Sequence, residues 1–165
     1  MNKLINDKGI SLIEVLIAMS ILLIFAFPLI YFFTDISEAI MNRKHGIRAS
    51  MYAQSLLEEI KQKKWDQNTV GSKYVTSPSA TLGLDSGETN IPDDCNDIDD
   101  YNGYIYQPEK GFTCTVKVKY INVNLNDTVT DSINPTDFKQ IIVEASSSRK
   151  GAENIILKQI LSNGI

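Results

Sequence analysis

An apolar run from Ile10 to Phe33 constrains this chain more than any other feature, because Glu14 is its only charged residue. A bilayer core requires about 20 apolar residues in a helix, so the run predicts one membrane span. A secretory signal fits poorly, because no small-residue cleavage site follows the run at a usual distance. On insertion scales, a carboxylate in the hydrocarbon costs about 2.5–3.5 kcal/mol. Glu14 therefore requires a partner or a function.

The flanking charges favour one orientation in the membrane. Lys3 and Lys8 precede the apolar run and the first acid-rich segment follows it, which places Met1 in the cytoplasm and the C-terminal part outside. Three basic residues after the run weigh against this orientation: Arg43, Lys44 and Arg48. The net charge is −4 and no basic stripe is visible, so we predict no nucleic-acid binding.

A single long helix is predicted from Ile10 to about Lys64, since that stretch contains one proline, Pro28, and one glycine. Proline lacks a backbone donor and clashes with the preceding turn, so we expect a kink or local unwinding at Pro28. Helical spacing defines two apolar stripes. The stripe expected under a globular domain contains Ala49, Ala53, Leu56, Leu57 and Ile60, and the stripe expected to face neighbours or solvent contains Ile36, Ile40, Ile47 and Met51.

The C-terminal part predicts a small antiparallel sheet. FTCTVKVKY alternates apolar and polar residues with the period of a half-buried strand. DFKQIIVEASS and ENIILKQIL predict two further strands, joined by a hairpin at Gly151, and GYIYQ is a candidate fourth. The predicted fold class is α+β, with the sheet laid on the C-terminal half of the long helix.

The stretch KGISLIEVLIAM resembles the prepilin signature of type IV pilins and type II secretion pseudopilins. The resemblance implies cleavage after Gly9 by a prepilin peptidase, which also methylates the new amine of Ile10. It implies the type IV pilin fold and assembly with other pilin subunits, driven by an extension ATPase and a membrane platform protein. In this family, Glu14 would pair with the N-terminal amine of an adjacent subunit. The alternative is an ordinary single-pass anchor that tolerates one acid.

Two further segments resemble minor pilins of the PilV and MshD type and the corresponding minor pseudopilins. These segments are RASMYAQSLLEEIKQKKWD and DDCNDIDDYNGY. The apolar residues of the first segment fit a plain core role equally well. The implied organisation is a cleaved leader (1–9), a membrane and assembly half of the helix (10–33), an exposed amphipathic half (34–66) and a β-rich head (67–165).

The predicted function is that of a structural subunit, a minor pilin, which is not an enzyme. It would first be a single-pass protein of the cytoplasmic membrane with an exterior head, and then part of a filament at the cell surface. Two alternatives remain: a pseudopilin of a type II secretion or DNA-uptake system, and a membrane-tethered binding module that never polymerises. The lone His45 has no nucleophile at a catalytic spacing, so no catalytic residue is predicted.

No cofactor is required by this interpretation, but an acidic stretch offers oxygen ligands for calcium. The candidates are Asp94, Asp97, Asp99 and Asp100. The EF-hand spacing fails, because placing Gly103 at the sixth loop position puts Ile98 where the first Asp is required. A solvated turn with side-chain to backbone hydrogen bonds is the alternative interpretation.

Both cysteines, Cys95 and Cys114, fall in the predicted exterior part, where oxidation is permitted. They enclose about 18 residues, and a disulfide across such a loop would stabilise the fold by about 3 kcal/mol. Two buried thiols are the alternative to a disulfide.

Overall fold

The computed structural model describes residues 11–69, 74–85, 87–88, 94–124 and 128–164. The chain divides into two compact units, residues 1–41 and 42–165. One helix, α1 (Leu12–Lys61), supplies the described part of the first unit from residue 12 and continues into the second unit. The predicted cleavage site at Gly9 and Ile10 lies outside the described residues.

α1 continues through Pro28, so the local unwinding that the sequence predicted there is not observed. A proline inside a helix removes one hydrogen-bond donor, whereas the turns on either side keep their own bonds. The long apolar stretches before and after Pro28 therefore remain one helix. A kink at this residue stays a prediction.

The predicted stripe of the second unit is confirmed. Its members are all buried: Ala49, Ala53, Leu56, Leu57 and Ile60. The two alanines have 0% exposure, which shows that their small side chains let the helix approach its neighbours closely. On the opposite side of α1, Ile47 and Met51 are 63% and 64% exposed. The helix thus buries one face and leaves an apolar face open.

Five strands form the sheet of the second unit: β1 (Ile105–Tyr106), β2 (Phe112–Val123), β3 (Val129–Asp131), β4 (Phe138–Ser147) and β5 (Ile155–Ser162). All named pairs are antiparallel, with the order β1-β2-β4-β5 and with β3 paired to β2. The hairpin between β4 and β5 contains Gly151 at φ 85°, a conformation that favours glycine, as predicted. β3 was not predicted, because its three residues are all exposed and show no alternation.

The core forms where the inner face of the sheet packs on α1. β2 contributes Phe112, Cys114, Val116, Val118 and Tyr120, and β4 contributes Ile141, Val143 and Ala145. Cross-strand partners such as Val116 and Val143 lie opposite each other on this face. The predicted α+β class is confirmed: a long N-terminal helix packed against a small antiparallel sheet is a pilin-like fold.

One short helical turn precedes the sheet. It is a 3₁₀ helix, η1 (Asp99–Tyr101), and all three of its residues are buried. Tyr101 packs edge-on against Tyr104, with 5.6 Å between the ring centroids, and its hydroxyl donates a hydrogen bond to Glu59 on α1 at 2.9 Å. The part of the acidic segment from Asp97 to Tyr101 is therefore buried in the head, whereas Asp94 and Asn96 are exposed.

Candidate functional site

Glu14 lies in the first turn of α1, in a segment whose apolar side chains are all exposed. Its backbone N–H donates to the carbonyl of Ser11 at 2.9 Å. Large apolar side chains surround it on the helix surface, and Leu12, Val15 and Leu16 are 45–78% exposed. A carboxylate amid such a surface has no aqueous surroundings once lipid or a neighbouring helix covers the segment.

Two serine hydroxyls of α1 are hydrogen-bonded within the helix itself. The hydroxyl of Ser20 donates to the carbonyl of Leu16 at 2.8 Å, and Ser37 makes the same bond to Phe33 at 2.7 Å. Such internal bonds suit a hydrocarbon environment, where water is absent as a partner. By length and composition, α1 is one helix that is able to cross a membrane.

The acidic segment places its carboxylates in several separate roles. Oδ1 of Asp97 accepts the N–H of Asp99 at 2.8 Å, and Oδ2 of Asp100 accepts the N–H groups of Asn96 at 2.8 Å and Asp97 at 3.0 Å. These bonds hold the backbone that leads into η1. Asp94 is exposed.

The four predicted calcium residues do not converge on one point. Within the described ranges, the group of three carboxylates whose ligand oxygens lie within 4.8 Å of one another is Asp85, Glu88 and Asp100. Only Asp100 belongs to both sets. Calcium binding by the predicted set stays a prediction, and the geometry gathers a different set of ligands.

Burial changes the acidity of this segment. Burial first, and then the charge of Asp100, raise the pKa of Asp97 to about 6. Burial likewise raises the pKa of Asp99 to about 7, although the nearby ammonium of Lys139 acts in the opposite direction. Burial also raises the pKa of Glu88, which the N–H of Asp85 lowers and the carboxylate of Asp100 raises. These shifts are those of carboxylates crowded together away from water.

Lys139 is the cation at the centre of the head, with 0% exposure. Its ammonium donates to the carbonyl of Trp65 at 2.7 Å, lies 3.4 Å from Oδ2 of Asp66, and forms an ion pair with Asp99. The same nitrogen lies 4.0 Å from the ring centroid of Trp65, which is a cation–π distance. One lysine therefore joins the segment after α1, the acidic segment and β4.

Asp66, in the segment after α1, holds a second carboxylate beside the ammonium of Lys139. Its carboxylate accepts the N–H of Asn68 at 2.9 Å and the N–H of Ser79 at 2.8 Å. Burial raises the pKa of Asp66, but these two N–H groups and the charge of Lys139 outweigh it and hold the pKa below its ordinary value. Asp66 is therefore ionised in the folded head at neutral pH.

Sequence reasoning missed Lys139, although a signal for it was present. In the alternation of β4, Lys139 occupies the same face as Ile141, Val143 and Ala145, which is the buried one. A lysine at an inward position requires a buried acid or acceptor. The partner itself was not readable from the sequence.

The N-terminal region matches one protein-family model. Residues 5–30 match the prokaryotic N-terminal methylation motif. No curated protein and no solved structure matches the chain. The match supports a type IV pilin-like prepilin that is processed by prepilin peptidase, and Glu14 lies inside the matched range.

This match and the apolar helix together support membrane anchoring and association with pilin assembly machinery. Proteins of this kind are structural subunits, and the prediction that the chain is not an enzyme agrees with this match. The methylation motif does not distinguish a minor pilin from other pilin-like proteins.

The two cysteines are buried, with 1% exposure for Cys95 and 0% for Cys114, and both belong to the core cluster. The structure contains no bond between their sulfur atoms, so the predicted disulfide is not observed there. Burial raises the pKa of Cys95 to about 11 and also raises the pKa of Cys114. Because thiolate is the attacking species, any pairing would form before the core closes. The disulfide stays a prediction.

Proposed function

We propose that the chain is a minor pilin, a structural subunit that enters or primes a type IV filament at the cell surface. The observation that carries the proposal is the place of Glu14: an acid in the first turn of an exposed apolar helix, within the matched methylation motif. The two segments that resemble minor pilins support the narrower assignment. The head would lie outside the membrane, and other pilin subunits would be its partners.

Processing and assembly are linked by charge in this proposal. Cleavage after Gly9 creates an amine on Ile10, and methylation leaves that amine able to carry a proton. Glu14 of one subunit then pairs with this amine on a neighbour, which removes the cost of an isolated carboxylate in an apolar environment. The pairing also sets the register of neighbouring helices. The platform protein and the extension ATPase would lift each subunit out of the membrane.

Two other functions remain as candidates. A pseudopilin of a type II secretion or DNA-uptake system would use the same N-terminal chemistry, and the genes beside this one would distinguish it: a secretion operon rather than pilus genes. A membrane-tethered binding module would keep the anchor and never polymerise. The exposed Ile47 and Met51 on α1 favour assembly over a tether, because they offer apolar surface that a neighbouring subunit would cover.

The experiment compares Glu14→Ala with Glu38→Ala, which removes a second acid of α1 outside the apolar run. Surface filaments are sheared, purified and examined by mass spectrometry. We expect the wild type and Glu38→Ala in the filament fraction, each beginning at a methylated Ile10. We expect Glu14→Ala to stay in the membrane, because its helix lacks a partner for the neighbouring amine.

Three results would count against the proposal. Incorporation of Glu14→Ala at the level of the wild type would remove the register role. Absence of the wild type from filaments, with a processed protein in the membrane, would favour the tether. An N-terminus that still contains residues 1–9 would remove the processing step itself.

A further inference from the structure

Three carboxylates from two separate segments meet in the head. Asp85 and Glu88 belong to the loop region after α1, and Asp100 belongs to η1. One oxygen of each lies within 4.8 Å of the others. At neutral pH such a group concentrates negative charge, and like charges at this distance repel one another strongly when shielded from water.

Asp100 supplies a second and independent observation. The residue is 1% exposed, and Oδ2 is occupied by two backbone N–H groups. Oδ1 is buried and accepts no hydrogen bond from a donor of the described residues; the same is true of Oδ2 in Asp97 and in Asp99, but of these three residues only Asp100 lies in the cluster. A buried carboxylate oxygen without a donor costs free energy, and an ion is one of the few explanations for it in a native fold. The carboxyl group of Asp100, which enters the cluster, thus has one oxygen, Oδ1, available to bind a cation.

Neutral donors hold the other two carboxylates in place. Oε2 of Glu88 accepts the N–H of Asp85 at 3.0 Å, and its Oε1 accepts the side-chain amide of Asn96. Oδ1 of Asp85 accepts the side-chain amide of Gln67 at 2.8 Å. None of the salt bridges among the described residues includes Asp85, Glu88 or Asp100. The cluster is therefore oriented, but no lysine or arginine of the described chain neutralises it.

The ligand set suits calcium better than magnesium. Calcium binds oxygen at about 2.3–2.6 Å, so two ligands on opposite sides of the ion lie up to about 5 Å apart, and the three oxygens of the cluster all lie within 4.8 Å of one another. Calcium is commonly bound by several carboxylates in a flexible geometry, whereas magnesium keeps several waters and is usually bound by one or two carboxylates. Three carboxylates at one point therefore favour calcium.

We propose that Asp85, Glu88 and Asp100 bind a calcium ion that fastens the loop after α1 to the acidic segment. Water and backbone carbonyls complete the coordination, since calcium takes about 6–8 oxygens. Asp97 and Asp99 serve the backbone and Lys139 instead. With the head outside the membrane, as proposed above, the dissociation constant expected for such an extracellular site is about 10⁻⁴–10⁻³ M. The site rests on that location and not on entry into a filament.

The test measures thermal unfolding of the full-length protein in detergent, with a chelator or with added calcium. The variant is Glu88→Gln, which keeps the size of the side chain and removes one charge. The control is Asp131→Asn, which removes an exposed acid that pairs with Lys119. Calcium should raise the melting temperature of the wild type and the control to the same extent. In Glu88→Gln the calcium concentration for half of this shift should rise at least about tenfold.

The same variant separates binding from a purely structural role. In chelator, Glu88→Gln should melt no lower than the wild type, because one of three repelling charges is gone. Three outcomes would overturn the proposal. The first is a melting temperature of the wild type that stays constant up to about 10 mM calcium, and the second is an equal shift of Glu88→Gln and the wild type at the same calcium concentration. The third outcome is a melting temperature of Glu88→Gln that lies below that of the wild type by the same amount with and without calcium. An equal shift with magnesium at equal concentration would overturn the choice of calcium.

Discussion

Replacing Lys139 with methionine should destabilise the head more than any surface lysine substitution. The ammonium is fully buried and serves two carboxylates, Asp99 and Asp66, whose side chains are 4% and 0% exposed. Methionine matches the aliphatic stem but leaves both acids without a cation. Breaking a buried pair by removing one partner costs about 3–5 kcal/mol. A domain has about 5–15 kcal/mol of stability in total, so the loss is a large fraction of it.

Trp65 provides the assay, because it is the only tryptophan in the chain and its ring lies 4.0 Å from the ammonium of Lys139. Urea unfolding in detergent is followed by its fluorescence. The matched control is Lys117→Met on the exposed face of β2, which should change the free energy of unfolding by no more than about 0.5 kcal/mol.

A double variant tests the cause. Lys139→Met combined with Asp99→Asn removes the cation and one of the buried charges together. Its cost should be smaller than the sum of the two single costs by about 1–3 kcal/mol, because the two residues are in contact. The reasoning is refuted if Lys139→Met costs no more than Lys117→Met, or if the two single costs simply add.

Three further predictions concern other parts of the head. In urea unfolding, Gly46→Ala should stabilise α1 by about 0.5–1 kcal/mol, because nothing lies within 4 Å of the added Cβ. Gly151→Ala should instead destabilise the head by about 1–2 kcal/mol, because φ is 85° at this residue. The difference in free energy of unfolding between the wild type and Asp66→Asn should be fully present above pH 3.8, the ordinary pKa of aspartate, and should decline below that pH, because folding lowers the pKa of Asp66. A difference that does not change with pH would contradict this. Mass spectrometry of the folded protein should show a two-dalton gain on reduction if Cys95 and Cys114 pair, and an unchanged mass would remove the disulfide.

Local periodicity explains why much of the fold was predictable. The alternation in β2 and β4 and the spacing of Ala49 to Ile60 on α1 each report burial from a few neighbouring residues. Such patterns need no knowledge of partners distant in the chain. Glu14 was equally readable, because a single acid in a long apolar run is conspicuous without any structure.

The roles of the acids were not predictable, because each depends on what the fold brings beside it. Asp97, Asp99 and Asp100 look alike in sequence, yet their roles differ. Asp97 accepts backbone N–H groups, Asp99 pairs with Lys139, and Asp100 both accepts backbone N–H groups and enters the cluster with Asp85. The sequence predicted calcium ligands within one short stretch, and that stays a prediction. The cluster proposed above takes two of its three carboxylates from the preceding loop region, and no local spacing rule connects those segments.

The position of Lys139 along the chain also has a consequence for the order of folding. It follows Asp99 by 40 residues and Asp66 by 73. At about 5–20 residues per second, synthesis reaches the lysine roughly 2–8 s after Asp99. During that interval the carboxylates of Asp66 and Asp99 stay hydrated, and the segment after α1 lacks the cation that it contacts in the folded head. The head therefore completes its packing in a late step that depends on contacts between residues distant in the chain. A chain crossing a membrane would remain incompletely folded until β4 has been synthesised.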